Sequence, residues 1–113
     1  MMKAIDIYGN KCPTLFTLDI INGKWRVPLL WKISYHGPIR FNTLRREVTG
    51  ITNIMLSKIL QEYEEYGIVT RTQYEEIPPR VEYSLTASGQ ELVTILDYLH
   101  EWGNKNMDKP VTK

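Results

Sequence analysis

The sequence predicts a single, mainly α-helical domain with one small β-hairpin (α+β). Apolar residues recur at three- and four-residue spacing before residue 67 and again after residue 86, which is typical of helices that bury one face. Between those segments, residues 68–85 alternate with the two-residue period of strands. The 113 residues suffice for one hydrophobic core. We therefore expect one domain over 1–113, with an ordered part at about 12–103, an N-terminal arm over 1–11 and a C-terminal tail over 104–113.

Helix-ending residues divide the first half of the chain into short helices. Pro13 is tolerated in a first turn because its missing N–H would be unpaired there, and Gly23 favours the left-handed conformation that ends a helix. Gly37 and Pro38 terminate the next helix, whose apolar stripe includes Trp25. The predicted order is a helix from Cys12 and Pro13 to before Gly23, a helix over 24–35, an extended stretch over 38–40, and a helix over 43–48 with Asn42 as its N-cap.

The helix that follows Thr52 has two chemically different faces. Thr52 is its predicted N-cap, and Gly67 ends it after Tyr66. The residues predicted to face inward are Met55, Leu56, Ile59, Leu60 and Tyr63. The residues predicted to face outward are Thr52, Asn53, Ser57, Lys58 and Gln61. The outward side chains can hydrogen-bond to base edges or phosphates, although an ordinary amphipathic helix also has a polar outer face.

A hairpin and a long helix complete the chain. The two strands, over 68–74 and 81–85, are joined by a loop whose Pro78 and Pro79 cannot continue a ladder. Thr86 then caps a helix over 87–103. The apolar face of this helix is wider than one small core needs, which favours an additional interface with a second copy. Its members are Leu92, Ile95, Leu96, Leu99 and Trp102.

This order of elements predicts a winged helix-turn-helix. Gly50 accepts the positive φ of a sharp turn between the helices over 43–48 and 52–66. In such a unit the second helix enters the major groove of DNA, the first crosses the backbone, and the hairpin reaches the minor groove or its phosphates. The predicted DNA-binding residues are Arg40, Asn42, Arg45, Thr52, Asn53, Ile54, Ser57, Lys58, Gln61 and Arg80. Arg46 is equally well interpreted as an ion-pair partner.

The charges are segregated along the chain, although the net charge is only +1. Residues 23–58 carry seven Lys and Arg against Glu47 alone, whereas residues 59–101 carry a net charge of −7. A basic segment beside an acidic one can form a positive face that attracts phosphates, or both segments can simply be solvated surface.

Composition argues against several other classes of protein. One cysteine and two separated histidines exclude an internal disulfide framework and disfavour a zinc site, so we expect neither metal nor cofactor. The sequence contains no long apolar run and no secretory signal pattern, so we expect a cytoplasmic protein without membrane contact. An enzyme is not expected, because there is no nucleophile–base pair and no phosphate-binding glycine loop.

Motifs along residues 12–103 resemble the HxlR-type regulators, a branch of the MarR-like winged-helix transcription factors. The motifs are CP at 12–13, GKW at 23–25, RFNTL at 40–44, GIT at 50–52, LSKIL at 56–60, EEYGIVTR at 64–71, PPRVEYSLT at 78–86, and Gly89, Leu92 and Trp102. The resemblance implies a homodimer that binds a two-fold symmetric operator and regulates transcription in response to a chemical signal. The dimer would assemble from the first and last helices, and the predicted interface residues are Leu15, Leu92, Ile95, Leu96, Leu99 and Trp102.

Two positions have a specific meaning within this resemblance. Ile54 and Ile59 lie in the reading helix where relatives often carry basic or polar residues, which leaves Lys58 as the basic residue there. Ile59 can be core, whereas Ile54 could contact a thymine methyl group. Cys12 corresponds to a cysteine that acts as a redox or electrophile sensor in some members. Alternatively, Cys12 is a small buried residue at a helix cap.

Two further functions remain open at this stage. The outer face of the helix over 52–66 could dock a partner protein rather than DNA. A small-molecule effector could bind between the dimer helices, in a pocket lined by Trp25, Trp31, Tyr98 and Trp102, although these rings are also typical core residues.

Overall fold

The computed structural model describes residues 9–109, which form five helices and a three-stranded sheet. The expected N-terminal arm therefore lies outside the described residues except for its last three positions, as do residues 110–113 of the expected tail. The elements in chain order are α1 (Pro13–Ile21), α2 (Arg26–His36), β1 (Ile39–Arg40), α3 (Phe41–Glu47), α4 (Asn53–Glu65), β2 (Val69–Tyr74), β3 (Arg80–Leu85) and α5 (Ala87–Asn106).

The sheet has the order β1-β3-β2 and is antiparallel throughout. The predicted extended stretch is β1, whose Ile39 and Arg40 pair with Tyr83 and Glu82 of β3. Because the strand runs directly into the next helix, α3 begins at Phe41 and Arg40 occupies the N-cap position without a side-chain cap. The prediction of Asn42 as N-cap was therefore wrong, and Asn42 lies in the first turn of α3.

The hydrophobic core lies where α2, α4 and α5 meet the sheet. Its fully buried side chains include Leu29, Leu30, Ile33, Leu44, Leu56, Ile59, Leu60 and Tyr63. Met55 was predicted to face inward but is 36% exposed. It lies in the first turn of α4, where side chains point back toward the helix N-terminus and so past the edge of the core.

A partly buried polar contact joins the start of α2 to the last turn of α4. The Tyr63 hydroxyl donates to the Arg26 carbonyl at 3.2 Å, and Arg26 Nη1 forms a 2.7 Å ion pair with Glu62 Oε2. Burial raises the pKa of the Tyr63 phenol above its ordinary value, so this hydroxyl keeps its proton and acts as a donor. The contact fixes α4 relative to α2.

The N-terminus of α5 is docked on the beginning of β2. Thr86 Oγ1 accepts a hydrogen bond from the Gly89 amide at 3.1 Å, as predicted for an N-cap, and also donates to the Gly67 carbonyl. Gly89 is buried against the Ile68 carbonyl, which itself accepts a 2.9 Å bond from the Thr86 amide. At its other end α5 continues to Asn106, three residues beyond the predicted end of the ordered part.

Helix α1 is attached to the rest of the domain by little apolar surface. Ile20 is its one buried residue, while Phe16 and Leu18 are 45% exposed. None of the helices over residues 9–109 is long and apolar enough to cross a lipid bilayer.

Candidate nucleic-acid interface

Helix α4 presents a continuous polar stripe on its outer side. Thr52 Oγ1 accepts a hydrogen bond from the Met55 amide at 3.1 Å, which confirms Thr52 as the N-cap. The neighbouring N–H groups of the first turn form a positive helix end suited to a phosphate. The six residues predicted to read DNA from this helix are all exposed: Thr52, Asn53, Ile54, Ser57, Lys58 and Gln61.

The turn that precedes α4 is tight and is supported by an aromatic ring. Gly50 has φ +93°, a conformation that side chains rarely adopt, as the sequence predicted. A Cβ atom built on Gly50 would lie 3.4 Å from Trp25 Cη2, so the indole covers the turn. The ring therefore lies against the turn that joins α3 to α4.

An exposed apolar side chain, that of Ile54, lies at the start of the polar stripe of α4. Ile54 is 84% exposed, and exposed Met55 is its chain neighbour. An exposed isoleucine on the reading helix can contact a thymine methyl group in the major groove. Ile59, by contrast, is buried in the core.

Arg71 lies beside the polar stripe of α4, although the sequence analysis did not predict it as a DNA-binding residue. A concave surface of about 510 Å³ lies between α4 and the hairpin and is lined by Ser57, Gln61, Glu64, Glu65, Arg71 and Tyr83. Arg71 is exposed and belongs to β2, where Tyr83 is its register partner. The sequence placed Arg71 in an alternating strand, but the alternation does not show that this strand lies next to α4.

The start of α3 meets the tip of the hairpin. Arg40 and Asn42 are exposed and line a concave surface of about 530 Å³ together with Glu76, Ile77, Pro78, Pro79 and Val81. The Ile77 side chain is fully exposed at this tip. The structure thus brings Arg40 and Asn42 close to the hairpin rather than to the polar stripe of α4.

Arg80 was predicted to reach the minor groove of DNA or its phosphates, but in the structure its side chain is held within the hairpin. It is the first residue of β3, and its guanidinium forms ion pairs of 3.1 Å with both Glu76 and Glu82. The same group stacks on the Tyr74 ring at 4.1 Å, and the side chain is only 24% exposed. Two carboxylates that reach one guanidinium across the hairpin outcompete solvent for it, so its positive charge is largely neutralised.

Five basic side chains of the 23–58 segment are exposed and have no ion-pair partner among residues 9–109: Lys24, Arg40, Arg45, Arg46 and Lys58. Of these, Lys24 lies 4.7 Å from the centroid of the Trp25 ring. Other basic residues of the segment are engaged: Arg26 binds Glu62, and Lys32 and His36 both contact Glu47. The hydrogen bond from His36 lowers the pKa of the Glu47 carboxyl, which keeps that carboxyl ionised and paired.

The predicted dimer residues divide into two groups. Leu92 and Leu96 are buried in the core of the single chain, so their assignment to an interface was wrong. They lie on the side of α5 that faces α2 and the sheet, whereas Ile95, Leu99 and Trp102 lie on the adjacent side and are 48%, 51% and 69% exposed. Leu15 of α1 is half-buried.

The aromatic residues suggested as an effector pocket do not converge. Trp25 covers the Gly50 turn, and Trp31 meets His100 edge-on at 5.4 Å. Tyr98 and Trp102 are exposed on α5. Within a single chain the four rings therefore do not line a common pocket.

Cys12 occupies the N-cap position of α1. The residue is half-buried, its backbone is extended, its thiol is free, and its side chain does not cap the helix. Within residues 9–109, no three His, Cys, Asp or Glu side chains are grouped so that they could hold a metal ion.

The model of the HxlR-like helix-turn-helix family matches residues 20–110. The chain belongs to this family. It is 46% identical over 110 residues to the HTH-type transcriptional regulator YybR of Bacillus subtilis (strain 168), covering 96% of this chain and 87% of YybR. It is also 42% identical over 98 residues to the HTH-type transcriptional regulator YdeP of the same organism, covering 87% and 76%.

Solved structures of winged-helix regulators are similar to the fold of this chain. The redox regulator HypR in its reduced form matches with a TM-score of 0.79 and 45% identity, covering 86% of this chain and 95% of HypR. The oxidised form of HypR matches with a TM-score of 0.75 and covers 88% of this chain. The reduced form of YodB from B. subtilis matches with a TM-score of 0.78 and 25% identity, covering 88% and 98%. This HxlR-family chain is therefore a helix-turn-helix transcriptional regulator, and its family implies DNA binding.

Proposed function

We propose that the protein is a homodimer that binds a two-fold symmetric operator in duplex DNA, with α4 of each subunit in the major groove. The observation that carries the proposal is the exposed polar stripe of α4, which includes the basic side chain of Lys58. Arg45 and Arg46, in the last turn of α3, are further exposed basic side chains. The stripe supplies donors and acceptors for base edges, and the basic side chains supply phosphate contacts. Such a regulator would act in the cytoplasm, where bacterial DNA lies.

Simultaneous replacement of Asn53, Ser57 and Lys58 by alanine tests the reading helix. These side chains are exposed, so the variant should fold, while the base and phosphate contacts of α4 are lost. We expect operator binding to weaken by roughly 100-fold or more. The measurement is a titration against DNA from upstream of the gene, with unfolding curves for both proteins.

A matched control removes one lysine elsewhere. Asn104→Ala with Lys105→Ala changes two exposed residues near the end of α5 and should leave binding unchanged. Operator affinity of the α4 variant equal to wild type would contradict the proposal. Salt dependence separates DNA binding from protein docking, because each phosphate contact releases counterions and makes affinity fall steeply with salt.

We also propose that Cys12 makes the regulator responsive to oxidation. Support comes from its half-exposed position at the end of α1 and from HypR and YodB, of which HypR is named a redox regulator. With one cysteine per chain, a disulfide can join Cys12 only to Cys12 of the second subunit or to a thiol of another molecule, such as a small thiol. Each new disulfide passes two electrons and two protons to the oxidant.

We expect oxidation to change the operator affinity of the wild type but not that of the Cys12→Ser variant. Treatment with a thiol oxidant such as diamide should shift the operator-binding midpoint of the wild type by about tenfold, a typical coupling between two sites. The midpoint of Cys12→Ser should be insensitive to the oxidant. An equal response of the two proteins in the same gel-shift titration would end the assignment.

A further inference from the structure

Ile54 lies in line with the polar stripe of α4 and not at its border. Residues three, four and seven positions apart lie on one side of a helix. From Ile54, those positions are Ser57, Lys58 and Gln61, which are the continuation of the stripe. Ile54 also belongs to the first turn of α4, and the N-terminal residues of a recognition helix are those that contact base edges. A side chain well placed to meet a base edge is therefore apolar.

The packing of the single chain does not account for this isoleucine. Its side chain is 84% exposed, whereas Ile59 of the same helix is buried in the core. Isoleucine is also a weaker helix former than alanine, so helix propensity does not favour it here. Branching at Cβ leaves the side chain few rotamers, so little conformational entropy is lost when it is fixed against another group. A stiff apolar surface on the reading helix is suited to an apolar group of the DNA.

Among the base edges of duplex DNA, the apolar group is the C5-methyl group of thymine, and it points into the major groove. Asn53, which precedes Ile54, carries the amide that can pair with adenine. The first turn of α4 thus has groups for both bases of an A·T pair. We infer that Ile54 contacts the methyl group of a thymine in each half-site of the operator, so that operator affinity depends on this methyl group. The inference rests on the proposed function, because it requires α4 in the major groove.

Deoxyuridine tests the inference, because it pairs with adenine as thymidine does and lacks only the methyl group. The experiment compares two versions of the DNA fragment from upstream of the gene, one with thymidine and one with deoxyuridine in both strands. Gel-shift titrations at one salt concentration measure the affinity of each. Burial of one methyl group corresponds to about fourfold in affinity, so two half-sites correspond to about 15-fold. We expect the wild type to bind the deoxyuridine fragment more weakly by this factor.

Substitutions of Ile54 assign the preference for thymidine to this side chain. Ile54→Ala removes most of the apolar surface and should bind the two fragments with equal affinity. The variant should fold, because the side chain is largely exposed, and urea unfolding checks this. Ile54→Val keeps a branched apolar side chain and should keep most of the preference.

Ile77→Ala is the matched control. Ile77 is a fully exposed isoleucine as well, but it lies at the tip of the hairpin. A hairpin that reaches the minor groove meets base edges on which thymine and uracil are alike, because the methyl group lies in the major groove. Ile77→Ala should therefore retain the full preference of the wild type for thymidine.

Three results would overturn the inference and leave the proposed function intact. They are equal affinity of the wild type for the two fragments, an undiminished preference in Ile54→Ala, and a loss of preference in Ile77→Ala as large as that in Ile54→Ala. Absence of wild-type binding to both fragments, by contrast, contradicts the proposed function and the inference with it. The two failures are therefore distinguishable in the same set of titrations.

Discussion

Replacement of Gly89 by alanine should destabilise the protein by about 3 kcal/mol, the upper part of the usual range for overpacking a core. A Cβ atom at this position would lie 2.3 Å from the Ile68 carbonyl oxygen and 3.1 Å from Leu85 Cδ2. This oxygen belongs to the backbone and accepts a hydrogen bond from the Thr86 amide. It therefore cannot move aside, as the end of a flexible side chain could. The helix must separate from the sheet, and the hydrogen bonds of Thr86 are lost with it.

The same helix offers a matched control for this prediction. Nothing lies within 4 Å of a Cβ atom built on Gly103, so Gly103→Ala should stabilise the chain by up to about 1 kcal/mol through helix propensity. Urea unfolding of the two variants and the wild type measures both effects. A Gly89→Ala protein as stable as Gly103→Ala would show that α5 is not docked on the start of β2 as described.

The second large effect is expected at the exposed apolar side of α5. Leu99→Arg places a charge among Ile95, Leu99 and Trp102 and should convert the proposed dimer to a monomer. Since a monomer engages only one half-site, operator affinity should fall by roughly 100-fold or more. The single chain should remain folded, because Leu99 is already half-exposed within it.

Thr94→Arg provides the comparison, because Thr94 is exposed on α5 away from this apolar side. It introduces the same charge on the same helix and should leave both mass and affinity unchanged. Light scattering gives the mass of each protein in solution, and the gel shift gives its affinity. A dimeric Leu99→Arg protein would assign the interface to another surface.

Local signals in the sequence were sufficient for most of the fold. Caps at Thr52 and Thr86 and the glycines that follow α2 and α4 act over a few residues, so they can be recognised without knowing the tertiary structure. Asn42 was misjudged because pairing of β1 with β3, a contact across more than 40 residues, decides where α3 begins. Such pairing leaves no mark in the local sequence.

The candidate site was harder to predict, because it depends on how surfaces meet. Spacing along α5 shows a wide apolar face but not which part of it the chain itself covers, so Leu92 and Leu96 were assigned to the wrong surface. Arg80 was expected to reach DNA. Its pairing with Glu76 and Glu82 forms only in the folded hairpin, so it could not be recognised from the sequence.

The weak attachment of α1 has a consequence for its tolerance of substitution. Because Ile20 is the one buried residue of this helix, its exposed side chains can be exchanged at little cost to folding. The family model, correspondingly, begins at residue 20, in the last turn of α1. Substitutions at the exposed positions of α1 should therefore leave the helix-turn-helix unit of α3 and α4 folded and able to bind DNA.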